Sequence, residues 1–248
     1  MKRLREQAST RIENAVVRPS KTYAGVTLAL TQIDAADRVY EQLKDWNRPL
    51  EALELLNTRL PGFDTPITLL KSTAINGLMA TQILALVAMA AHVQDVLANA
   101  QLETAGPELV DKVGEFKHKG KQRNNVSFAS KFAHFFIDAD RFPMKDGYST
   151  TMVEFHVGTA DCVQTKKNVL DESYEAYVQN IEQLKKRDGL GRSSHRRLDR
   201  YLWFAGKYRF FLKKSPFETG APKETTKKEF LDSLKACSDV DLAAVLDD

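Results

Sequence analysis

Cysteine is scarce in this 248-residue chain: Cys162 and Cys237 lie far apart and outside any CxxC spacing. That argues against a disulfide framework and a cysteine-based zinc site, and it fits a reducing, cytoplasmic setting. The five histidines, His92, His118, His134, His156 and His195, form no HxxxH or HExxH pair, so no metal site is expected from spacing. GxxxxGK[ST] and GxGxxG loops are absent, as is the GxSxG elbow of a serine hydrolase. No cofactor is expected. Long apolar runs are missing too. The most apolar stretch, Ile75 to Ala98, is broken by Asn76, Thr81, Gln82, His92, Gln94 and Asp95, which suits a buried core helix and not a membrane span. The first twenty residues, "MKRLREQASTRIENAVVRPS", carry charge but no apolar core, so no signal peptide is expected. Internal repeats and low-complexity blocks are lacking.

What remains has ordinary globular proportions, 43% apolar and 28% charged, and a length that buries a proper core. Helical spacing dominates. "TQIDAADRVYEQLKDWN" opens at Thr31, and "RPLEALELLNTRLP" has Pro49 near its start and stops at Pro61. "TPITLLKSTAINGLMATQ" starts a helix or helix pair running to about Leu102. Shorter helices follow at "GPELVDKVGEF", "SFASKFAHFF" and from Asp146. "DESYEAYVQNIEQLKKRDG" is expected to run from a cap at Asp171 to a stop at Gly189. "VTLALTQI" has strand-like composition but stands alone. The expected fold is mainly α, a multi-helix orthogonal bundle with a helix-hairpin-helix element. Residues 1–214 form its helical domain, with a possible division at 104/105. Residues 215–248 are read as a linker with short C-terminal helices.

Between two of these helices lies "KHKGKQRNN", with Lys117, Lys119, Lys121 and Arg123 around Gly120. Helix, short turn, helix is a hairpin pattern, and the second helix is expected to be capped by Asn125 or Ser127. Helix N-termini present unpaired N–H groups and a positive dipole end, so this cationic hairpin suits a phosphate backbone. A solvated polar turn is the plainer reading. The second helix carries Lys131 among Phe128, Phe132, Phe135 and Phe136. Burial lowers a lysine's pKa, and a neutral amine can attack carbon and form a Schiff base. Asp146, fifteen positions on, can cap the next helix with one oxygen and face a pocket with the other. A snorkelling lysine and a simple N-cap are the structural alternative. His134 can tune the lysine, contact phosphate, or merely pack.

The order of hairpin, lysine-bearing helix, short loop and aspartate at a helix start resembles the helix-hairpin-helix DNA glycosylase superfamily, of the 8-oxoguanine glycosylase-like kind. The resemblance spans roughly Glu108 to His156. It implies that Lys131 is the nucleophile toward the sugar carbon and that Asp146 supports the oxocarbenium-like state. It also implies a substrate base flipped out of duplex DNA. The family's glycine-rich hairpin is here "KHKGKQRNN", its "VDxHV" context is "MKDGYST", and no four-cysteine cluster follows.

Formal net charge is only +3, but from Glu182 to Lys214 eleven basic residues face three acidic ones, a local net charge of +8. Within that stretch "HRRLDRYLWFAGKYRFFLKK" reads as a basic-aromatic helix. Arg196, Arg197, Arg200 and Lys207 are candidate phosphate contacts, and Trp203 is either a base-stacking residue or a buried anchor. The partner expected is nucleic acid, DNA under the resemblance, and not a membrane. A non-catalytic binding module, in a bacterial defence or mobile-element setting, and a scaffold for an acidic protein remain the alternatives.

Overall fold

A computed structural model describes residues 25–162, 173–217 and 223–237. The N-terminal segment and the cap expected at Asp171 lie outside the described residues. Those residues form a mainly helical bundle of ten helices and one two-stranded ribbon. In chain order they are α1 (Leu30–Gln42), α2 (Lys44–Arg59), α3 (Thr65–Leu78), α4 (Leu86–Ala98) and α5 (Pro107–Gly114). The ribbon strands β1 (Glu115–His118) and β2 (Lys121–Asn124) follow. Next come α6 (Val126–Phe136), α7 (Gly147–Val157), α8 (Tyr174–Arg187), α9 (His195–Leu212) and α10 (Glu224–Lys235). Among the described residues no helix is long and apolar enough to cross a membrane.

The start and stop signals act largely as their chemistry dictates. Asp64 caps α3 by accepting from Ile67 N at 3.0 Å, and Ser173 caps α8 by accepting from Ala176 N at 3.2 Å. Gly189 closes the α8 end at φ +68°. Pro49 sits inside α2 and not at its start. The apolar stretch from Ile75 divides into α3 and α4. Asn76 holds the connecting loop, accepting from Ile83 N at 2.6 Å and donating through Nδ2 to Ile83 O at 3.2 Å. Ala80 and Gln82 in that loop take positive φ, a strained conformation for side-chain-bearing residues.

The connection between α5 and α6 is an antiparallel ribbon, not the bare turn the sequence suggested. Its register sets Phe116 opposite Arg123 and His118 opposite Lys121. Lys119 and Gly120 both have positive φ, as a tight two-residue hairpin with strand-matching twist requires. Asn125 N donates to Gly114 O at 2.8 Å and closes the base of the ribbon. The ribbon therefore delivers the chain directly into α6.

One hydrophobic cluster runs through the described residues from Leu28 to Leu234. Helix α9 is its spine and packs on α1 and α7. Gly206 allows the closest approach: a Cβ there would lie 3.0 Å from Tyr148 Cβ and 3.1 Å from Met152 Cγ. Helix α10 is docked on the bundle. Phe230 of α10 is fully buried and meets Trp46, Phe204 and Phe211 at 5.5, 6.0 and 5.3 Å between ring centroids. Burying a ring of that size stabilises by about 1.5–3 kcal/mol, which fixes the short helix to the bundle.

Candidate functional site

A cavity of about 1360 Å³ opens between α2, the α3–α4 loop, α6, the start of α7, α9 and α10. Helical spacing explains who lines it. On α6 the lining residues are Ser127, Lys131, His134 and Phe135; on α9 they are Arg196, Asp199, Arg200, Trp203, Lys207 and Phe210. Each set follows the i, i+3, i+4, i+7 rule of a single helix face. Lys131 and Asp146, paired from the sequence, line this same cavity.

Every residue of α6 except Ser127 is buried. Lys131 is 6% exposed, and its Nζ donates to Ser127 Oγ, one turn earlier, at 3.3 Å. Burial pushes its pKa down, against the opposing pull of the Asp146 carboxylate. Asn125 is the N-cap of α6, but its side chain makes no capping bond, and Ser127 serves Lys131 instead.

Asp146 caps α7. Its Oδ1 accepts from Ser149 N at 2.9 Å, while Asp146 N donates to Ser149 Oγ at 2.9 Å. The second oxygen, Oδ2, takes no part in that cap. The loop before Asp146 is fastened from three elements. Lys145 N donates to Ser130 Oγ at 3.0 Å, Met144 N donates to Asp199 Oδ2 at 2.8 Å, and Tyr177 OH donates to Met144 O at 2.9 Å. Tyr174 OH adds a bond to Pro143 O at 2.7 Å. The carboxylate is thus positioned by packing on both flanks, which is what a preorganised site needs.

Lys207, read from the sequence as a surface phosphate contact, is inside. Its Nζ lies 3.6 Å from the Trp46 ring centroid and 4.6 Å from that of Trp203, with Phe230 at 5.4 Å. Burial lowers its pKa to about 7, with Asp146 pulling the other way. Trp203 is accordingly part of an aromatic cage with Trp46, at 6.0 Å between centroids, and it also borders the cavity.

The arginines of α9 form ion pairs within the fold. Arg197 Nε donates to Asp37 Oδ2 at 2.8 Å, and a terminal nitrogen of Arg197 pairs with Asp34. Arg200 Nη1 donates to Asp37 Oδ1 at 2.7 Å, and Arg196 pairs with Glu54. Their counter-charges come from α1 and α2, some 140–160 positions earlier in the chain. What reads locally as a free basic face is paired with carboxylates of the N-terminal helices. By contrast Lys117, Lys119 and Arg123 are exposed on the ribbon, without an ion pair among the described residues.

Two residues carry more than the sequence suggested. His134 Nδ1 lies 3.0 Å from Phe142 O and donates to it, and burial lowers the ring's pKa to about 4, so the imidazole is neutral. Asp199 had counted only as an opposing charge in a basic stretch. It is 2% exposed, its pKa is raised well above the usual carboxylate range by burial, and its Oδ1 has no protein partner. With the imidazole neutral, the 3.6 Å between His134 Nδ1 and Asp199 Oδ2 is not an ion pair. The available signal was spacing: Asp199 falls in register with Trp203 and Lys207 on one helix face.

Residues 31–141 match a family model described as HI_0787_N, N-terminal domain. That match covers α1 to α6 and includes Lys131, and it ends before Asp146. No curated protein and no solved structure matches the chain.

Proposed function

We propose that this protein binds nucleic acid and removes a base from it by glycosylase-like chemistry, with Lys131 as the attacking amine and Asp146 as the supporting carboxylate. The observation that carries the reading is the shared cavity: a buried amine whose basicity burial lowers and a rigidly positioned carboxylate line one space. A nucleoside extruded from a duplex needs such a space, together with aromatic surfaces for its base, which Tyr40, Trp46 and Trp203 supply. Phosphate contact is assigned to the ribbon, through Lys117, Lys119 and Arg123, and not to the arginines of α9.

The chemistry follows from the two groups. The Nζ lone pair bonds to C1′ as the bond from C1′ to the base breaks, and the base departs with that electron pair and takes a proton from solvent. Positive charge developing at C1′ is stabilised by Asp146, which also accepts a proton from the attacking nitrogen. Ring opening, with O4′ taking a proton, leaves Lys131 joined to C1′ as a Schiff base.

The test is borohydride trapping on duplexes containing an abasic site or a damaged base. Wild-type protein is expected to yield a covalent adduct, and Lys131→Gln, shown to be folded by circular dichroism, none. An adduct that persists in the variant removes Lys131 as the nucleophile. Salt-sensitive binding without any adduct leaves a binding module.

A further inference from the structure

Ser127 stands one turn before Lys131 on α6, and its Oγ lies 3.3 Å from the Lys131 Nζ. The two are i and i+4 on one helix face, so the helix itself sets their separation. Both line the cavity, but Lys131 is buried whereas Ser127 keeps part of its surface open. The neighbouring Ser130 is fully buried and holds the loop before α7 through Lys145 N. Among the described residues the Ser127 hydroxyl pairs with the Lys131 amine alone. A serine hydroxyl is a weak nucleophile until a base takes its proton. Burial lowers the basicity of Lys131 and so favours the unprotonated amine that such a base must be. In that form the hydroxyl donates to Nζ across the same contact. Asp146, whose carboxylate pulls the other way, stabilises the ammonium that results. Ser127 also lies in the first turn of α6, where backbone N–H groups have no intrahelical partner and Asn125 supplies no capping bond. Those groups are donors for an oxyanion formed beside Ser127.

We propose that Ser127 and Lys131 form a Ser–Lys dyad that hydrolyses a carboxylic ester with a bulky apolar or aromatic part, seated against the cavity walls of Phe135, Trp46 and Trp203. Such a dyad needs no GxSxG elbow, because the register of the helix does the positioning. Lys131 Nζ takes the hydroxyl proton as Oγ bonds to the carbonyl carbon. The tetrahedral adduct collapses, its bond to the leaving alkoxide breaks, and the Lys131 ammonium returns the proton to that alkoxide. Water then attacks the acyl-Ser127 carbonyl and gives a proton to Lys131, and the acid departs as Oγ regains that proton. This activity is separate from base removal, in which the same lone pair attacks carbon, and it needs no nucleic acid.

The test uses the full chain and two small probes. An alkyl fluorophosphonate bonds through phosphorus to an activated serine with loss of fluoride, and peptide mass mapping locates the label. Release of p-nitrophenolate from p-nitrophenyl phenylacetate follows turnover. Wild-type protein is expected to be labelled at Ser127 and to turn over the ester. Ser127→Ala loses both. Lys131→Met, which suits an apolar site, slows both by about a hundredfold to ten-thousandfold, the usual worth of a positioned general base. No labelling of the wild-type chain, labelling elsewhere than Ser127, or turnover surviving in folded Ser127→Ala overturns the proposal. An undiminished rate of Ser127 labelling in folded Lys131→Met also overturns it. The wild-type and Ser127→Ala results decide the matter even where Lys131→Met does not fold. Borohydride trapping on duplexes reads a different bond, so failure of the ester test leaves base removal standing, and the reverse holds.

Discussion

Replacing Lys207 by methionine should stabilise this protein, although it deletes several cation–π contacts. A fall in pKa from 10.5 to about 7 corresponds to about 5 kcal/mol against holding the ammonium in the folded state, at about 1.4 kcal/mol for each pH unit. The Trp46 and Trp203 faces, 3.6 and 4.6 Å away, return about 2 kcal/mol of that. The net penalty is about 3 kcal/mol, and methionine fills a similar volume without it. The sign with pH follows from the folded value lying below the unfolded one. Between pH 7 and 10.5 the unfolded chain takes up the proton first, so the stability contributed by the neutral lysine is present at high pH and is lost as pH falls towards 7. Lys207→Met should therefore gain about 3 kcal/mol near neutrality and almost nothing near pH 10. Urea unfolding followed by far-ultraviolet circular dichroism at several pH values reads both. A methionine variant that is less stable, or whose advantage does not change with pH, would show that the rings hold the ammonium comfortably and that burial does not dominate.

Replacing Lys117, Lys119 and Arg123 together by alanine should lower the salt slope of nucleic-acid binding by about 2 to 3. The double variant Arg196→Ala/Arg200→Ala should leave that slope unchanged, because those charges are already neutralised within the fold. Filter binding across a salt series separates the two. Gly206→Ala gains about 1 kcal/mol in helix propensity but crowds Tyr148 and Met152, at a cost of about 1–3 kcal/mol. A small net loss, with a lowered melting temperature, is expected.

The helices and their order were legible because the apolar positions repeat at helical spacing and the breaks carry Pro, Gly or capping residues. Lys131 and Asp146 were legible as cavity partners because each sits where local chemistry is informative, a lysine among phenylalanines and an aspartate at a helix start. The ribbon was hidden because a Lys-Gly pair is a weaker hairpin signal than Asn-Gly, so "KHKGKQRNN" read as a plain loop. The fate of Arg196, Arg197 and Arg200 could not be read locally, since their partners stand on α1 and α2. Lys207 was misplaced for a related reason: its cage is assembled from Trp46, Trp203 and Phe230, far apart in the chain. Asp199 was overlooked because a charge count treats every carboxylate as solvated.

The way α9 and α10 close the cavity has a consequence for the chain as it emerges from the ribosome. The stretch matching the HI_0787_N model contains Lys131 but neither Asp146, Asp199 nor Lys207. The cage around Lys207 is completed by Phe230, which follows α9 in the chain. Until then the cage lacks the ring 5.4 Å from that amine. A chain truncated before α9 therefore carries Lys131 but not the assembled cavity, whose walls come from both ends of the described sequence.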